Sequence, residues 1–497
     1  MQMTIPLIRG RLAVMVILLL LAACAKEQLS TSVSASQPAD SIVVHGSHIN
    51  YGVDPAIRIS GLDPRRDFVV ASMRNYEYWE PAPSGGWEPG IRSVIAWGAF
   101  RSRADGTIDL ATHAPSAGTW AEADAYGILN SGRRQEDLFH EPLPSALLAT
   151  APARADHEIL VIDGANIAAR APLTFGPAPG LVIETVSEGE LNGAFAYLAG
   201  ARALPVIIIL HGSEGGNVET ARATAARFAG SGYAAFAMNY FAWTMAGIDN
   251  IPSSHMNFPI ERLGEARAWL AARPEADVER LAIHGTSKGA EFALVAAERY
   301  SWIDGVIACV ATDAVWEGYG VGDPRSRTTA ADMPEIRSSW SWRGEPLPYI
   351  PLEPWEDGRW YNNTERYEHG RETHPQAAQR AAIDITRSPA RFLVIGSLRD
   401  EVWASGAMAR NLEGRMQASG RAEDIESLVF ERAGHGVCGD GTYPPRAYSE
   451  SSSDPRAVDL DAEARASVSA WHETRDFLRR LSDSREVEPF SKASSDD

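Results

Sequence analysis

Cysteine is scarce in this sequence, which has only three in 497 residues, at positions 24, 309 and 438. So few cysteines exclude a disulfide framework, and Cys309 lies in the apolar run 305–310, where we expect a core residue. The chain also has no HExxH or CxxC spacing, so no metal site is predicted from a motif. No cofactor is predicted either.

Positive charge is also in short supply. The chain has 46 Lys and Arg against 65 Asp and Glu, a formal net charge of −19. This charge argues against nucleic acid as a partner, since no basic patch is available to neutralise phosphates. The excess acid is most simply explained by solubility.

The N-terminal apolar run, Leu12–Ala23, is too short to span a bilayer as a helix. It follows Arg9 and Arg11, as in the apolar region of a secretory signal peptide. It ends Leu21-Ala22-Ala23-Cys24, which resembles the lipobox of bacterial lipoproteins. We therefore expect residues 1–24 to be a lipoprotein signal peptide, with Cys24 lipidated after cleavage. Ordinary signal cleavage after a small residue is the alternative.

Lipidation of Cys24 would anchor the protein to a membrane of the bacterial cell envelope. The residue after Cys24 is Ala25 rather than an aspartate, so export to the outer membrane stays open. Residues 25–40 are rich in Ser, Gln and Ala without an apolar period, which predicts a flexible tether.

In the rest of the chain, the pattern of predicted strands and helices changes at about residue 177. From 41 to 177 short apolar strands, such as 68–72 and 93–97, alternate with Gly, Pro and Asp turns, and predict a β-sandwich domain. From 178 to 482 buried strands alternate with helices, which predicts a doubly wound, mostly parallel α/β sheet. The final residues, 483–497, are polar and acidic and predict a disordered tail.

One stretch interrupts the strand–helix alternation. Residues 313–388 have no clean period and are rich in Trp, Tyr and Pro. A long irregular insertion at this point is usually functional, which favours a lid or pocket wall. The alternative is a surface excursion packed by its own aromatic side chains.

The strongest chemical signal is the turn Gly285-Thr286-Ser287-Lys288-Gly289, between an apolar strand and an apolar helix. A G-x-S-x-G turn in this context is the nucleophile elbow of an α/β-hydrolase. The two glycines let strand and helix pass closely, and the serine is exposed on strained backbone. The alternative is a chance match, but strand, helix and downstream partners all favour Ser287 as a nucleophile.

A serine hydroxyl needs a base, and the base needs an orienting acid. In this fold the acid and then the histidine follow the serine along the chain, each after a strand. Asp400 and His435 stand at those two places, so we predict that they complete the triad. Glu401 and Asp313 are alternatives for the acid.

A tetrahedral intermediate also needs hydrogen-bond donors for its oxyanion. The backbone N–H of Lys288 supplies one, and the loop after the first central strand supplies the second, through Ser213 or Glu214. His211 lies in the same loop but precedes Ser287, so it does not fit the role of base.

Three stretches carry a closer likeness. They are Ser287-Lys288-Gly289-Ala290-Glu291 with Phe292-Ala293-Leu294, Gly396–Asp400 with Trp403 and Ser405, and Ala433-Gly434-His435 followed by Tyr443-Pro444. They resemble the family of acyl-CoA thioesterases and bile acid-CoA:amino acid N-acyltransferases, and the N-terminal sandwich matches that family too. The resemblance covers nearly all of the mature chain and implies the triad Ser287, Asp400 and His435.

The family resemblance implies thioester hydrolysis, because the transferase branch has cysteine at the nucleophile position and this chain has serine. We therefore predict a serine acyl hydrolase that cleaves an acyl thioester through an acyl-enzyme. Two features depart from the family: His211-Gly212 resembles general esterases, and export would remove the protein from acyl-CoA. The alternatives are an exported carboxylesterase or peptidase of the same fold, and a non-catalytic lipoprotein that binds an acyl ligand.

Overall fold

The computed structural model describes residues 42–81, 87–138, 157–243, 246–318, 337–352, 362–447 and 454–486. The signal peptide and tether predicted over 1–40 lie outside these residues, as does the end of the predicted tail, 487–497. Among the described helices, none is long and apolar enough to cross a membrane.

The N-terminal region consists mainly of two β-sheets around a shared core. Its strands are β1 Val43–His45, β2 His48–Asn50, β3 Arg58–Ser60, β4 Asp67–Pro81, β5 Trp87–Arg101, β6 Ile108–Asp109, β7 Ala117–Gly118, β8 Arg133–Arg134, β9 His157–Asp163, β10 Asn166–Pro172 and β11 Thr174–Gly176. One sheet has the order β1-β3-β6 and the other β10-β9-β4-β5-β7, with β8 on β5. Ile59 from the first sheet and Phe68, Phe100 and Val161 from the second are buried in one cluster. The predicted sheet-rich N-terminal region is confirmed.

The longest N-terminal strands exceed the short ones predicted at 68–72 and 93–97. β4 and β5 are 15 residues each and pair from Asp67 with Arg101 to Pro81 with Trp87. Past Met73, β4 continues with the buried polar residues Arg74 and Asn75, which a hydrophobic pattern does not reveal. Arg74 donates to the Leu129 carbonyl at 2.8 Å, and such hydrogen-bonded polar residues give no hydrophobic period.

The second region is an eight-stranded sheet. Its strands are β12 Leu181–Glu188, β13 Leu191–Leu198, β14 Leu204–Leu210, β15 Ala234–Met238, β17 Ala276–Thr286, β18 Gly305–Cys309, β21 Arg391–Ser397 and β22 Ile425–Phe430, while β16 Phe258–Pro259, β19 Trp340–Trp342 and β20 Glu345–Pro346 form a small separate sheet. The order is β12-β13-β15-β14-β17-β18-β21-β22. β12 and β13 are antiparallel to their neighbours, and the strands from β15 to β22 are parallel. The predicted mostly parallel sheet is confirmed.

Helices cover both faces of this sheet. The α-helices within the described residues are α1 Gly127–Asn130, α2 Val218–Ala229, α3 Arg262–Ala271, α4 Lys288–Ala297, α5 Asn363–Thr373, α6 Pro375–Ala381, α7 Ser405–Ala418 and α8 Leu460–Glu486. Side chains of α2 and α8 share one core with one face of the sheet, and α3, α4 and α7 pack on the other face. Because both faces are buried, the central strands are apolar throughout. Since α8 runs to Glu486, the predicted tail begins as helix, and the tail prediction is wrong for 483–486.

The described residues of the insertion 313–388 pack into the core of the second region. Trp316, Trp340 and Tyr367 are fully buried in the same cluster as the helix after Ser287. Trp340 stacks on Phe292 of α4 with ring centroids 4.6 Å apart. These residues therefore form a wall behind that helix. Tyr319, Trp355, Trp360 and Tyr361 lie outside the described residues, and a lid remains a prediction.

The two regions meet in one compact unit that spans Asp40–Asp497. β11 ends at Gly176 and β12 begins at Leu181, on either side of the predicted boundary at 177/178. Asn130 of the N-terminal region donates to the carbonyls of Gly441 and Ala464, at 3.0 and 3.2 Å. The N-terminal region therefore supports the C-terminal segment that follows His435.

Candidate active site

Ser287 sits in a strained turn between β17 and α4. Its backbone has φ 55° and ψ −118°, a positive φ that costs energy for any residue other than glycine. A Cβ on Gly285 would stand 2.1 Å from the Gly289 carbonyl oxygen, and a Cβ on Gly289 would stand 2.3 Å from that of Leu210. Both flanking glycines are therefore required for the strand and helix to approach so closely.

The structure brings Ser287, His435 and Asp400 into one chain of hydrogen bonds. His435 Nε2 lies 3.0 Å from Ser287 Oγ. His435 Nδ1 lies 2.9 Å from each carboxylate oxygen of Asp400. The three residues follow β17, β22 and β21, whose parallel arrangement places their C-terminal ends at one edge of the sheet.

Asp400 is fixed by further donors. Its Oδ1 accepts the backbone N–H groups of Val402 and Trp403 at 2.9 and 3.1 Å, and its Oδ2 accepts the Ser405 hydroxyl. The carboxylate is thus held in the orientation that binds His435 Nδ1. The residues directly after Asp400 supply these donors, because they fold back on the carboxylate as a turn.

The two alternatives for the acid are engaged elsewhere. Glu401 accepts the backbone N–H of His435 at 3.1 Å and does not meet the imidazole. Asp313 is fully buried and forms ion pairs with Arg371 and Arg415. Asp313 therefore holds the insertion and α7 together.

The charges around His435 favour its protonated form. Burial alone would lower the pKa of the imidazole, but Asp400 beside it, with Glu401 and Glu214 nearby, raises that pKa above its usual range. A base with a raised pKa binds a proton more strongly. The same carboxylates would stabilise an imidazolium formed when the serine loses its proton.

The loop after β14 lies alongside the nucleophile. The position that a Cβ on Gly212 would take is 3.2 Å from Ser287 Cβ and 2.5 Å from Glu214 Oε2. The Glu214 carboxylate accepts the Gly212 N–H at 2.9 Å, and the Ser213 carbonyl accepts the Trp243 indole N–H at 3.2 Å. This loop and the Lys288 backbone at the start of α4 flank Ser287, where the two oxyanion donors were predicted.

His211 is a packing residue of that loop. Its ring stacks on Tyr240 with centroids 4.2 Å apart, and its Nδ1 lies 2.8 Å from the Gly212 carbonyl. Burial lowers the pKa of His211, so the ring is neutral at pH 7.

The Lys288 side chain is buried and points away from any solvent-borne substrate. Its Nζ lies 2.9 Å from Glu291 and donates to Ser339 at 2.8 Å and to the Glu317 carbonyl at 3.3 Å. Glu291 also accepts the Trp316 backbone N–H and the Trp340 indole, at 3.0 and 2.9 Å. This ion pair ties the elbow helix to the insertion. Its only sequence signal is the i, i+3 spacing of opposite charges in an otherwise apolar helix.

Cys309 is not an isolated core residue, as the sequence suggested, but forms a disulfide with Cys438. The Cα atoms are 6.0 Å apart and 129 residues separate them in sequence. Cys309 ends β18, beside the strand of the elbow, and Cys438 lies three residues after His435. The disulfide therefore ties the loop that carries the histidine to the sheet that carries the serine.

Removing this disulfide should destabilise the protein. Cys438→Ser is expected to lower the free energy of unfolding by about 2–4 kcal/mol, because the unfolded chain loses a cross-link over a long loop. Urea unfolding of the variant and wild type, each with and without dithiothreitol, measures the effect. Dithiothreitol should weaken wild type and leave Cys438→Ser unchanged; wild-type stability that does not respond to the reductant would contradict the prediction.

A cavity of about 220 Å³ lies under the loop after β14, between α2 and α8. Its lining includes Glu214, Thr286, Arg227, His284 and the disulfide. Burial and the charge of Arg227 lower the pKa of His284 to about 4.

Within the described residues, no three His, Cys, Asp or Glu side chains are grouped so as to hold a metal ion.

Comparison with known proteins finds two family models that match parts of the chain. Residues 258–483 match the family model described as BAAT / Acyl-CoA thioester hydrolase C terminal. Residues 193–312 match that of the dienelactone hydrolase family. Among solved structures, an esterase of Pyrobaculum calidifontis covers 61% of the chain and 86% of its own, with TM-score 0.36 and 14% identity.

The curated relatives are longer matches. Acyl-coenzyme A thioesterase 5 of Mus musculus is 24% identical over 409 residues, covering 77% of this chain and 85% of the relative. Acyl-coenzyme A thioesterase 1 of Rattus norvegicus is 23% identical, covering 68% and 73%. Acyl-coenzyme A amino acid N-acyltransferase 2 of Mus musculus is 25% identical, covering 61% and 66%.

The strand order and the elbow define an α/β-hydrolase fold, and the protein is a hydrolase. Residues 258–483 resemble the family of acyl-CoA thioesterases and bile acid-CoA:amino acid N-acyltransferases, as the elbow sequence predicted.

Proposed function

We propose that the protein is a serine acyl hydrolase in which Ser287, His435 and Asp400 form the catalytic triad. The observation that supports this proposal is the unbroken chain of hydrogen bonds from Ser287 Oγ to His435 at 3.0 Å and on to Asp400 at 2.9 Å. His435 takes the serine proton as Oγ attacks the acyl carbon, then protonates the leaving group. Water, deprotonated by the same histidine, cleaves the resulting acyl-enzyme and restores Ser287.

The oxyanion of each tetrahedral intermediate is stabilised by backbone N–H groups. Lys288 supplies the donor at the N-terminus of α4, where the helix dipole also favours negative charge. The second donor comes from Ser213 or Glu214, in the loop that flanks Ser287. The buried ion pair of Lys288 with Glu291 supports this role, because it fixes the first turn of the helix whose amide points at the oxyanion.

The proposed substrate is an acyl thioester. The support is the set of relatives, which are named as acyl-coenzyme A thioesterases and amino acid N-acyltransferases. Serine at the nucleophile position favours transfer of the acyl group to water. Carboxylester or amide cleavage on the same triad is the alternative function, and His211-Gly212 is the feature that favours it.

Matched pairs of substrates distinguish these functions. All four substrates carry the same acyl group. Two are thioesters, one of CoA and one of a short thiol, and the other two are an oxygen ester and an amide. A kcat/KM that is highest for thioesters supports thioesterase activity, and one that is highest for oxygen esters or amides overturns it. Saturable binding of an acyl ligand without turnover would favour the remaining alternative, a non-catalytic lipoprotein that binds an acyl ligand.

We propose that the protein works outside the cytoplasm, held to a membrane of the cell envelope by lipid on Cys24. The disulfide between Cys309 and Cys438 supports export, since disulfides persist mainly in oxidising compartments. Metabolic labelling with an alkyne fatty acid tests the anchor. Wild type should take up the label and sediment with membranes, while Cys24→Ser should do neither; an unlabelled wild type would contradict lipidation.

The rate should depend on pH through His435. Only the neutral imidazole can accept the serine proton, and the surrounding carboxylates raise its pKa above about 6.5. We therefore expect kcat/KM for a neutral substrate to fall as the pH drops through a midpoint above 6.5. Glu214→Gln removes one of these carboxylates and should move the midpoint to lower pH by roughly half a unit.

A charge-matched control separates this local effect from net charge. Glu219→Gln, on the first turn of α2, removes a carboxylate that is not among the main causes of the pKa shift of His435. Its profile should superimpose on that of wild type. A wild-type midpoint below 6.5, or equal shifts in both variants, would contradict the pH prediction.

A further inference from the structure

The loop that carries His435 is held by carboxylates through its backbone. Gly434 N–H donates to Glu463 Oε2 at 2.8 Å, and His435 N–H donates to Glu401 Oε2 at 3.1 Å. Gly436 also lies against this carboxylate, since a Cβ on it would stand 2.4 Å from Glu463 Oε1. Two successive backbone amides of the loop, those of Gly434 and His435, therefore donate to two carboxyl groups.

These two carboxyl groups come from separate elements and meet under the loop. Glu463 lies in the first turns of α8 and is 6% exposed, and Glu401 directly follows Asp400 after β21. The position of a Cβ on Gly434 would be 2.6 Å from Glu401 Oε2 and 2.7 Å from Glu463 Oε2. A side chain at 434 would have to displace both carboxyl groups, so the two are neighbours beside Gly434.

Burial and a neighbouring negative charge both disfavour the ionised form of a carboxyl group. Burial, with the charge of Glu401, raises the pKa of Glu463 to about 7. Glu463 therefore gains or loses a proton near neutral pH. Because Glu463 also faces His435, its ionisation and that of the imidazole are linked.

We propose that Glu463 and Glu401 are positioning residues of the catalytic histidine: they fix the His435 loop through its amides and set the charge beneath the imidazole. Neither residue touches the reacting atoms. The proposal rests on the proposed function only in that His435 acts as the base. A carboxylate pair suits this position because amide donors bind an ionised acceptor more strongly than a neutral one.

The other charged groups near the start of α8 are compensated. Asp459 is paired with Arg432, and Asp461 is paired with Arg446 at 3.3 Å. Glu401 and His435 are thus the titratable groups that act on Glu463. Above about pH 7 the ionised Glu463 favours the imidazolium and raises the pKa of His435; below that pH Glu463 is protonated and this effect is lost.

Glu463→Gln tests the proposal because the amide keeps an acceptor oxygen and removes the charge. Asp461→Asn is the matched control, since it makes the same charge change two residues away on the same helix. Histidine-selective ¹⁵N NMR on the full chain follows the titration of His435 directly. We expect the His435 midpoint to fall by about 0.5–1 pH unit in Glu463→Gln and to stay within 0.2 unit of wild type in Asp461→Asn.

Reaction with a fluorophosphonate probe provides the second readout. The rate constant for labelling should fall about 10-fold in Glu463→Ala, which removes the acceptor of the Gly434 amide, and Glu463→Gln should restore much of it. A His435 titration in Glu463→Gln that superimposes on wild type would overturn the proposal, even if Glu463→Ala fails to fold. Failure of wild type to react would overturn the proposed function instead, while the NMR titration still decides the role of Glu463.

Discussion

Ser287→Ala is expected to lower kcat/KM by about 10⁴–10⁶-fold and to leave the fold intact. The hydroxyl supplies the only nucleophile in the proposed acyl-enzyme route, and triad members act as a unit, so losing one forfeits nearly the whole effect. Hydrolysis of a matched thioester and ester, measured beside circular dichroism and thermal unfolding, checks both parts. His435→Ala should match this loss, and the double variant should cost no more than either single change.

Ser427→Ala is the matched control for this prediction. Ser427 lies on β22, and its buried hydroxyl has no hydrogen-bond partner within the described residues. The same chemical change there should leave kcat/KM within a factor of two. Retention of more than about 1% activity in Ser287→Ala would assign the nucleophile elsewhere.

Glu291→Ala is expected to lower the free energy of unfolding by about 3–5 kcal/mol, because it leaves the Lys288 ammonium buried without its counter-charge. Lys288 is 1% exposed and Glu291 is fully buried. Burial lowers the pKa of Lys288 and raises that of Glu291, and each partner opposes the shift of the other. Denaturant unfolding measures the loss, which should come with reduced activity since Glu291 also binds the insertion.

The double variant Lys288→Met/Glu291→Leu distinguishes an unpaired charge from lost packing. It removes both charges at similar volume, so it should lose much less stability than Glu291→Ala. Equal losses would show that the Trp316 and Trp340 hydrogen bonds, and not the ion pair, carry the effect. Stability of Glu291→Ala within 1 kcal/mol of wild type would contradict the buried-pair interpretation altogether.

The sequence could predict what local sterics and chain order dictate. Gly285 and Gly289 are required by close backbone contacts, so the elbow is visible as a motif. The continuously apolar strands indicate a sheet covered on both faces, and strand order then places Asp400 and His435 at the edge that holds Ser287. Glu401 and Asp313 could not be separated from Asp400, because their partners come from distant parts of the chain.

The features that sequence reasoning missed depend on contacts between residues far apart in the chain. Cys309 and Cys438 are 129 residues apart, and two cysteines alone give no pairing signal. From its sequence, Glu463 would be expected on the exposed face of an amphipathic helix, but in the structure it is buried under the His435 loop. Lys288 follows the nucleophile, a position where a charged side chain suggests solvent, but the insertion covers it.

Three contacts between distant residues share a pattern. The Lys288–Glu291 pair, the disulfide and the carboxyl groups of Glu401 and Glu463 each fix one part of the proposed active site: the elbow helix, the histidine loop and the histidine backbone. A strained serine needs such support, because its turn persists only when the surrounding structure over-determines it. Losing any one support should therefore reduce activity as well as stability.

Acid-quench mass spectrometry during turnover tests most directly whether Ser287 carries the acyl group. Wild type mixed with a thioester or an activated ester is quenched within milliseconds, digested and searched for the acyl mass. We expect the adduct on the peptide that contains Ser287 in wild type, and none in Ser287→Ala. An adduct on another residue, or turnover without any adduct at Ser287, would contradict the serine acyl-enzyme.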